Sequence, residues 1–160
     1  MNNEINTKYW LRIAENVGKA STCRLPVGCI LVHRNTIVGM GYVGSVHGDY
    51  HCNEQGHIEC EVDYRGQRRK TCIRTVHAEV NAILKCTVRG NKMTEWISCY
   101  STHEPCFDCT KLLLQIGVRK IYFITSYEDE RKKQYLSKIN TNEFVDVSIF
   151  DLLLFQQVTL

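Results

Sequence analysis

His77 and Glu79 stand two residues apart at the head of an apolar-periodic run, and Cys106 and Cys109 stand three apart in Glu104-Pro-Cys-Phe-Asp-Cys109. An imidazole and two thiolates are donors that zinc takes, and thiols at i and i+3 share one face of a helical turn. A catalytic zinc site keeps three protein ligands and leaves the fourth position to water, whereas a structural site is closed by four. Glu79 is then a carboxylate not needed as a ligand, placed to take a proton from that water and pass it on. Together the four residues read as metal-assisted hydrolysis with one general acid–base.

Helix starts must position these groups. The stripe Val76, Val80, Ile83, Leu84 and Val88 predicts a helix from 76 to 88 with Gly90 as its C-cap, and Cys106 to Ile116 predicts another, stopped by Gly117. At a helix start the dipole favours thiolate and unpaired N–H groups can bond sulfur, and Pro105 suits an opening turn because its missing N–H would have had no partner. Upstream, Thr7 to Ala20 reads as a packing helix, and Leu25 to His33 and Ile37 to Tyr42 as antiparallel strands of a hairpin. Downstream, strands are expected at Trp96 to Thr102, Lys120 to Thr125 and Val145 to Phe150, with a charged helix from Glu128 to Ile139. Strand, helix, strand with short links favours parallel pairing, so the class is α/β, with a mixed sheet and helices on both faces.

The 160 residues, 44% hydrophobic and 23% charged, make one domain able to bury a core. No apolar run approaches a membrane span and the first residues lack the regions of a signal peptide, so the chain reads as intracellular and cytoplasmic. Its nine cysteines are then expected to be reduced, divided between metal ligation and burial. A net charge of +3 is too slight to indicate a nucleic-acid partner.

His-x-Glu followed by Pro-Cys-x-x-Cys is the signature of zinc deaminases, in which water replaces the amino group of a cytosine or adenine ring and the glutamate moves protons. On that reading Glu79 protonates N3 and then the leaving amino group of cytosine. Cys72-Ile-Arg-Thr-Val-His-Ala-Glu-Val-Asn-Ala-Ile-Leu84 resembles the core motif of the deoxycytidylate (dCMP) deaminase family. Ser21-Thr-Cys-Arg-Leu-Pro-Val-Gly28, Gly41-Tyr-Val-Gly-Ser45 and His51-Cys52 are similar to further segments of it, so that the likeness runs from about Leu11 to Tyr127. It implies a three-layer α/β/α cytidine-deaminase-like fold with a mixed five-stranded sheet, and a homo-oligomer, commonly a hexamer. The implied reaction is dCMP to dUMP and ammonia, feeding thymidylate synthesis, with dCTP and dTTP as effectors together with Mg²⁺. Two departures stand out: Val43 replaces an asparagine whose amide could bond sugar or phosphate, and the segment from Cys23 to Val27 is one residue shorter than in close relatives.

A substrate phosphate requires cationic donors. Arg24 is the first candidate and Arg74 the second, while the resemblance adds Tyr127 and Ala78. Arg65, Arg68, Arg69 and Lys70, and likewise Arg131-Lys-Lys133, read as solvated loop charges. Between Val43 and Thr71 the pattern dissolves, and a connection of that length gains order from a metal clip. Some relatives carry a second, structural zinc in this region. Cys23, Cys52 and Cys72 are its expected ligands here, with Cys60, His57 or His51 as the fourth, so that the single domain carries a zinc-clipped insertion at about 43–72. The competing functions are deamination of dCTP, free (deoxy)cytidine or a polynucleotide base, and a catalytically silent zinc-stabilised binding module, in which Glu79 would have no use.

Overall fold

The first apolar stripe folds as helix α1 (Asn3–Gly18) in the computed structural model, which describes residues 3–64, 66–87, 97–127, 129–138 and 146–149. The hairpin follows as β1 (Gly28–His33) and β2 (Thr36–Tyr42). Its turn is the two residues Arg34 and Asn35, both left-handed at φ 49° and 58°, the backbone that suits the twist of a tight hairpin. The chain continues through β3 (Gly44–Ser45), α2 (Cys52–Gln55), β4 (Glu59–Tyr64), β5 (Gln67–Cys72), β6 (Thr75–Val76) and α3 (Ala78–Leu84). It then forms β7 (Ile97–His103), α4 (Phe107–Gln115), β8 (Val118–Thr125), α5 (Glu130–Lys138) and β9 (Asp146–Ile149).

The main sheet runs β2-β1-β7-β8-β9, antiparallel on either side of β1 and parallel from β7 to β9. Period-2 alternation assigns its two faces. Ile30, Val32 and Tyr100 join Trp10, Leu11 and Ala14 of α1 in one core, while Cys29, Leu31, Cys99, Ile121 and Phe123 join Ala78, Ala82 and Leu113 of α3 and α4 in the other. The result is the mixed, three-layer α/β/α arrangement expected. α3 lies hard against β2 because Gly41 has no side chain: a Cβ there would stand 2.4 Å from both the Ala78 carbonyl and the Ala82 nitrogen. Among the described residues no helix is long and apolar enough to cross a membrane.

Three expectations change. The helix expected from 76 to 88 is described from Ala78 to Leu84, Val76 belonging instead to β6, and Val88 and Gly90 lie outside the described residues, as do Trp96 and the tail beyond 149. The stretch from Val43 to Thr71, read as irregular, contains all but the last residue of the ribbon β4–β5, whose six residue pairs run from Glu59↔Cys72 to Tyr64↔Gln67. Its strands are solvent-facing and charged, so no apolar alternation betrays them; Glu61↔Lys70 and Asp63↔Arg68 are opposite charges placed directly across the ladder, each favourable by roughly 0.2–1 kcal/mol. The run Arg131-Lys-Lys133, read as solvated charge, lies on the expected charged helix, α5, but its Lys132 is only 3% exposed.

Candidate active site

Of the two helices that face each other under the sheet, α3 begins two residues and α4 one residue later than the pattern suggests, so His77 and Cys106 are not in the first turn but at the N-cap positions, with extended backbone. Cys109 follows within the first turn of α4. The ligand atoms of His77, Cys106 and Cys109 all lie within 4.8 Å of one another. The His77 Nδ1 atom is 3.7 Å from the Cys106 sulfur and 3.3 Å from that of Cys109. Tetrahedral zinc with bonds of about 2.3 Å to sulfur and 2.0 Å to nitrogen would separate such atoms by about 3.6 Å, so donor type and spacing both fit the metal. With three donors, one coordination position is left for a small molecule.

The thiols are already uneven. A hydrogen bond from Cys109 and a second from the His77 ring hold Cys106 down at about 4, against the cost of burial. The same bond, with burial and the Glu79 charge, drives the Cys109 thiol far up. Glu79 is 4% exposed, and burial raises its carboxyl above the ordinary range. A carboxylate in that setting is a better proton acceptor than one in water.

Behind this centre a second group assembles. Cys23, Cys52, His57 and Cys72 also place their ligand atoms within 4.8 Å of one another, with Cys23 Sγ 3.8 Å from His57 Nδ1 and Cys52 Sγ 3.8 Å from Cys72 Sγ. Four soft donors form a closed set of the structural kind. Burial and the bond to Cys72 raise Cys52 to about 11; burial also pushes Cys72 up, but bonds from the Arg74 backbone, His57, Cys52 and Cys23 bring it down to about 7. Cys60, one of the candidates for the fourth place, stands apart: it is exposed on β4 and its thiol donates to the Glu61 carbonyl. Strand alternation explains this, because Glu59 points toward Arg24 and its neighbour must point to the opposite face. His51 is also outside the group, capping α2, with its backbone N–H bonded to Glu54.

One cavity of about 320 Å³ touches both groups: Cys23 and Cys72 form part of its wall, as do His77, Glu79 and Cys106. Arg24 and Lys70 line it too, held by Glu59, which takes a bond from Arg24 Nη1 at 2.5 Å and pairs with Lys70 at 3.8 Å. Tyr127 and Val43 are on the wall. Arg74 is not: its side chain is buried against Asp49 Oδ1 at 2.7 Å and the Tyr50 carbonyl at 3.2 Å, so its charge is spent on ordering the loop before α2. Ala78 is fully buried, with its carbonyl against β2. Lys70, read as a solvated loop charge, instead lies on β5 at the cavity wall; sequence reasoning also gave no role to Glu104, on the same wall, or to Lys132, whose ammonium bonds Glu104. Lys132 sits in a run of like charges with no apolar pattern, and nothing local marks it.

Known proteins fit this geometry. The profile of the family described as "Cytidine and deoxycytidylate deaminase zinc-binding region" matches residues 4–125. ComE operon protein 2 of Bacillus subtilis is 34% identical over 130 residues, 81% of this chain and 64% of that protein. The deoxycytidylate deaminase of Schizosaccharomyces pombe is 32% identical over 124 residues, 74% of this chain and 37% of that protein, so this chain spans less than two thirds of either relative. Among solved structures, the dCMP deaminase of cyanophage S-TIM5 in complex with dCMP and dUMP superposes with a TM-score of 0.65 at 27% identity, over 94% of this chain and 99% of that one. A zinc-type donor set with a buried glutamate beside it, at the mouths of two facing helices in an α/β/α sandwich matched over residues 4–125, makes the chain a member of the cytidine and deoxycytidylate deaminase zinc-binding family.

Proposed function

We propose that the protein hydrolyses dCMP to dUMP and ammonia. The observation that carries this reading is one cavity whose wall holds His77, Cys106 and Glu79, with Cys109 grouped beside the first two, together with the cations of Arg24 and Lys70. A cytosine ring delivered to the first group leaves its 5′-phosphate to be met by the second. Relatives named as deoxycytidylate deaminases, and the cyanophage enzyme with its bound dCMP and dUMP, support the substrate.

When bound by His77, Cys106 and Cys109, zinc supplies a water acidic enough to lose a proton near neutral pH. Glu79 accepts that proton and hands it to N3 of the ring. It then gives a proton to the departing 4-amino group, and the balance is cytosine plus water to uracil plus ammonia. Its burial serves this role, because a carboxylate whose pKa is raised both takes and returns a proton readily. Tyr127 borders the nucleotide on the cavity wall, whereas Ala78, expected there too, is fully buried and is not one of the residues lining it. The cluster Cys23, Cys52, His57 and Cys72 holds a structural zinc that ties the loop before β1 to the β4–β5 ribbon. Assembly as a homo-hexamer with dCTP and dTTP as effectors belongs to the same reading.

The test is ammonia release from dCMP, deoxycytidine, dCTP and CMP by zinc-replete protein, repeated with dCTP added and with Glu79→Gln. Turnover of dCMP is expected to exceed that of the other three, and Glu79→Gln is expected to lower kcat by about 10²-fold or more with fold and zinc content retained. Preferred turnover of deoxycytidine or dCTP would transfer the activity to that substrate, and no turnover of any would point to a polynucleotide base or a binding role.

A further inference from the structure

Lys132 projects from α5 toward Glu104, Pro105 and Tyr127, in the loops that follow β7 and β8. A lysine ammonium has three donors, and a buried one is costly unless all are used. Here all are: Nζ bonds Glu104 Oε1 at 2.5 Å, the Pro105 carbonyl at 2.9 Å and the Tyr127 carbonyl at 3.1 Å. Glu104 completes the pattern with its other oxygen, which accepts from Ser126 Oγ and from the Tyr127 N–H, each at 2.9 Å. One buried ion pair thus joins two loops that leave neighbouring parallel strands, the loop 104–106 after β7 and the loop 126–127 after β8. The first contains Cys106 and the second Tyr127, and both residues line the cavity.

A helix could have been docked here by apolar contacts alone, and such a replacement is commonly no less stable than a buried ion pair. What an apolar contact would not do is fix two main-chain carbonyls, those of Pro105 and Tyr127, at hydrogen-bond distance from one atom. We propose that Lys132 is a positioning residue of the reaction: with Glu104 it holds the Cys106 loop and the Tyr127 loop at a fixed separation, setting both the metal-ligand geometry and the width of the nucleotide cavity. It touches neither metal nor substrate and acts through Cys106 and Tyr127. The kinetic part of this rests on the dCMP reading above, but the effect on metal binding does not.

Two variants test it, Lys132→Met and the pair Glu104→Gln with Lys132→Met. The pair removes both charges together with the bond between them, keeps an amide oxygen for Ser126 and the Tyr127 N–H, and loses the bonds to the two carbonyls. Three quantities are measured on each protein: the thermal midpoint, zinc affinity by competition with a chromogenic chelator, and KM and kcat for dCMP with zinc in excess. Lys132→Met is expected to lower the midpoint, because it strands Glu104. The pair is expected to regain most of that loss while zinc affinity stays about tenfold weaker than wild type and KM stays raised by a similar factor, with kcat changing less. Recovery of zinc affinity and KM along with the midpoint would reduce Lys132 to charge compensation and overturn the proposal, as would a Lys132→Met protein with unchanged zinc affinity. Should Lys132→Met not fold by itself, the paired variant decides. Failure of the wild type to turn over dCMP removes the substrate reading alone, and the zinc-affinity ratio still decides the role of Lys132.

Discussion

The cysteines of this chain differ in what surrounds each sulfur. Cys29 and Cys99 lie 3.5 Å apart in the apolar core under α3, and their hydrogen bond, followed by burial, keeps the Cys29 thiol protonated. Cys106 sits at a helix N-cap beside an imidazole and a second thiol, where its thiolate is favoured. Cys60 points into solvent and meets only its neighbour's carbonyl. These environments predict different outcomes for one substitution. Cys60→Ser is expected to leave two zinc ions per chain by metal analysis, whereas Cys52→Ser leaves one and lowers the thermal midpoint. A wild-type count of one zinc, or a loss caused by Cys60→Ser, would overturn the assignment of the second cluster.

At the scale of elements, the site depends on how closely α3 approaches the sheet. Gly41 on β2 lets the Ala78 carbonyl and the Ala82 nitrogen come within what would be 2.4 Å of a side chain. Both are backbone atoms of a helix and cannot swing aside. Gly41→Ala is therefore expected to push α3 outward and to cost about 1–3 kcal/mol, seen as a lower midpoint in urea unfolding with unchanged slope. Because His77 and Glu79 open that helix, zinc affinity should fall with it; full retention of both would mean the helix can shift without consequence. The Arg34-Asn35 turn and the β1/β2 register show the opposite case, where two residues specify the element locally.

For the whole molecule, the consequence of the fold is that two clusters of Cys and His donors border one cavity. Arg24 directly follows Cys23, and Lys70 precedes Cys72 by two residues, so both proposed phosphate contacts hang on ligands of the second cluster. Emptying that cluster should then act on the substrate as well as on stability. Cys52→Ser, which alters no residue of the cavity wall, is expected to raise KM for dCMP several-fold more than KM for deoxycytidine, which has no phosphate to lose. Equal changes for the two substrates would show that the cluster supports the fold alone.

Local chemistry made the first half of this site legible. His77, Glu79, Cys106 and Cys109 declare themselves because metal ligation needs particular residue types at particular helical spacings, and those spacings are written along the chain. The alternation of β1, β7 and β8 was equally readable, since each strand carries its own record of two buried faces. Only the tertiary structure chose His57 over Cys60 and His51, because closing a four-donor cluster depends on the register of the β4–β5 ribbon, whose charged strands carry no apolar signal. It alone turned Arg74 away to Asp49 and buried Lys132 between two loops. A charge's partner is set by long-range contacts, and nothing in the run Arg131-Lys-Lys133 distinguishes the one lysine that the fold takes out of water.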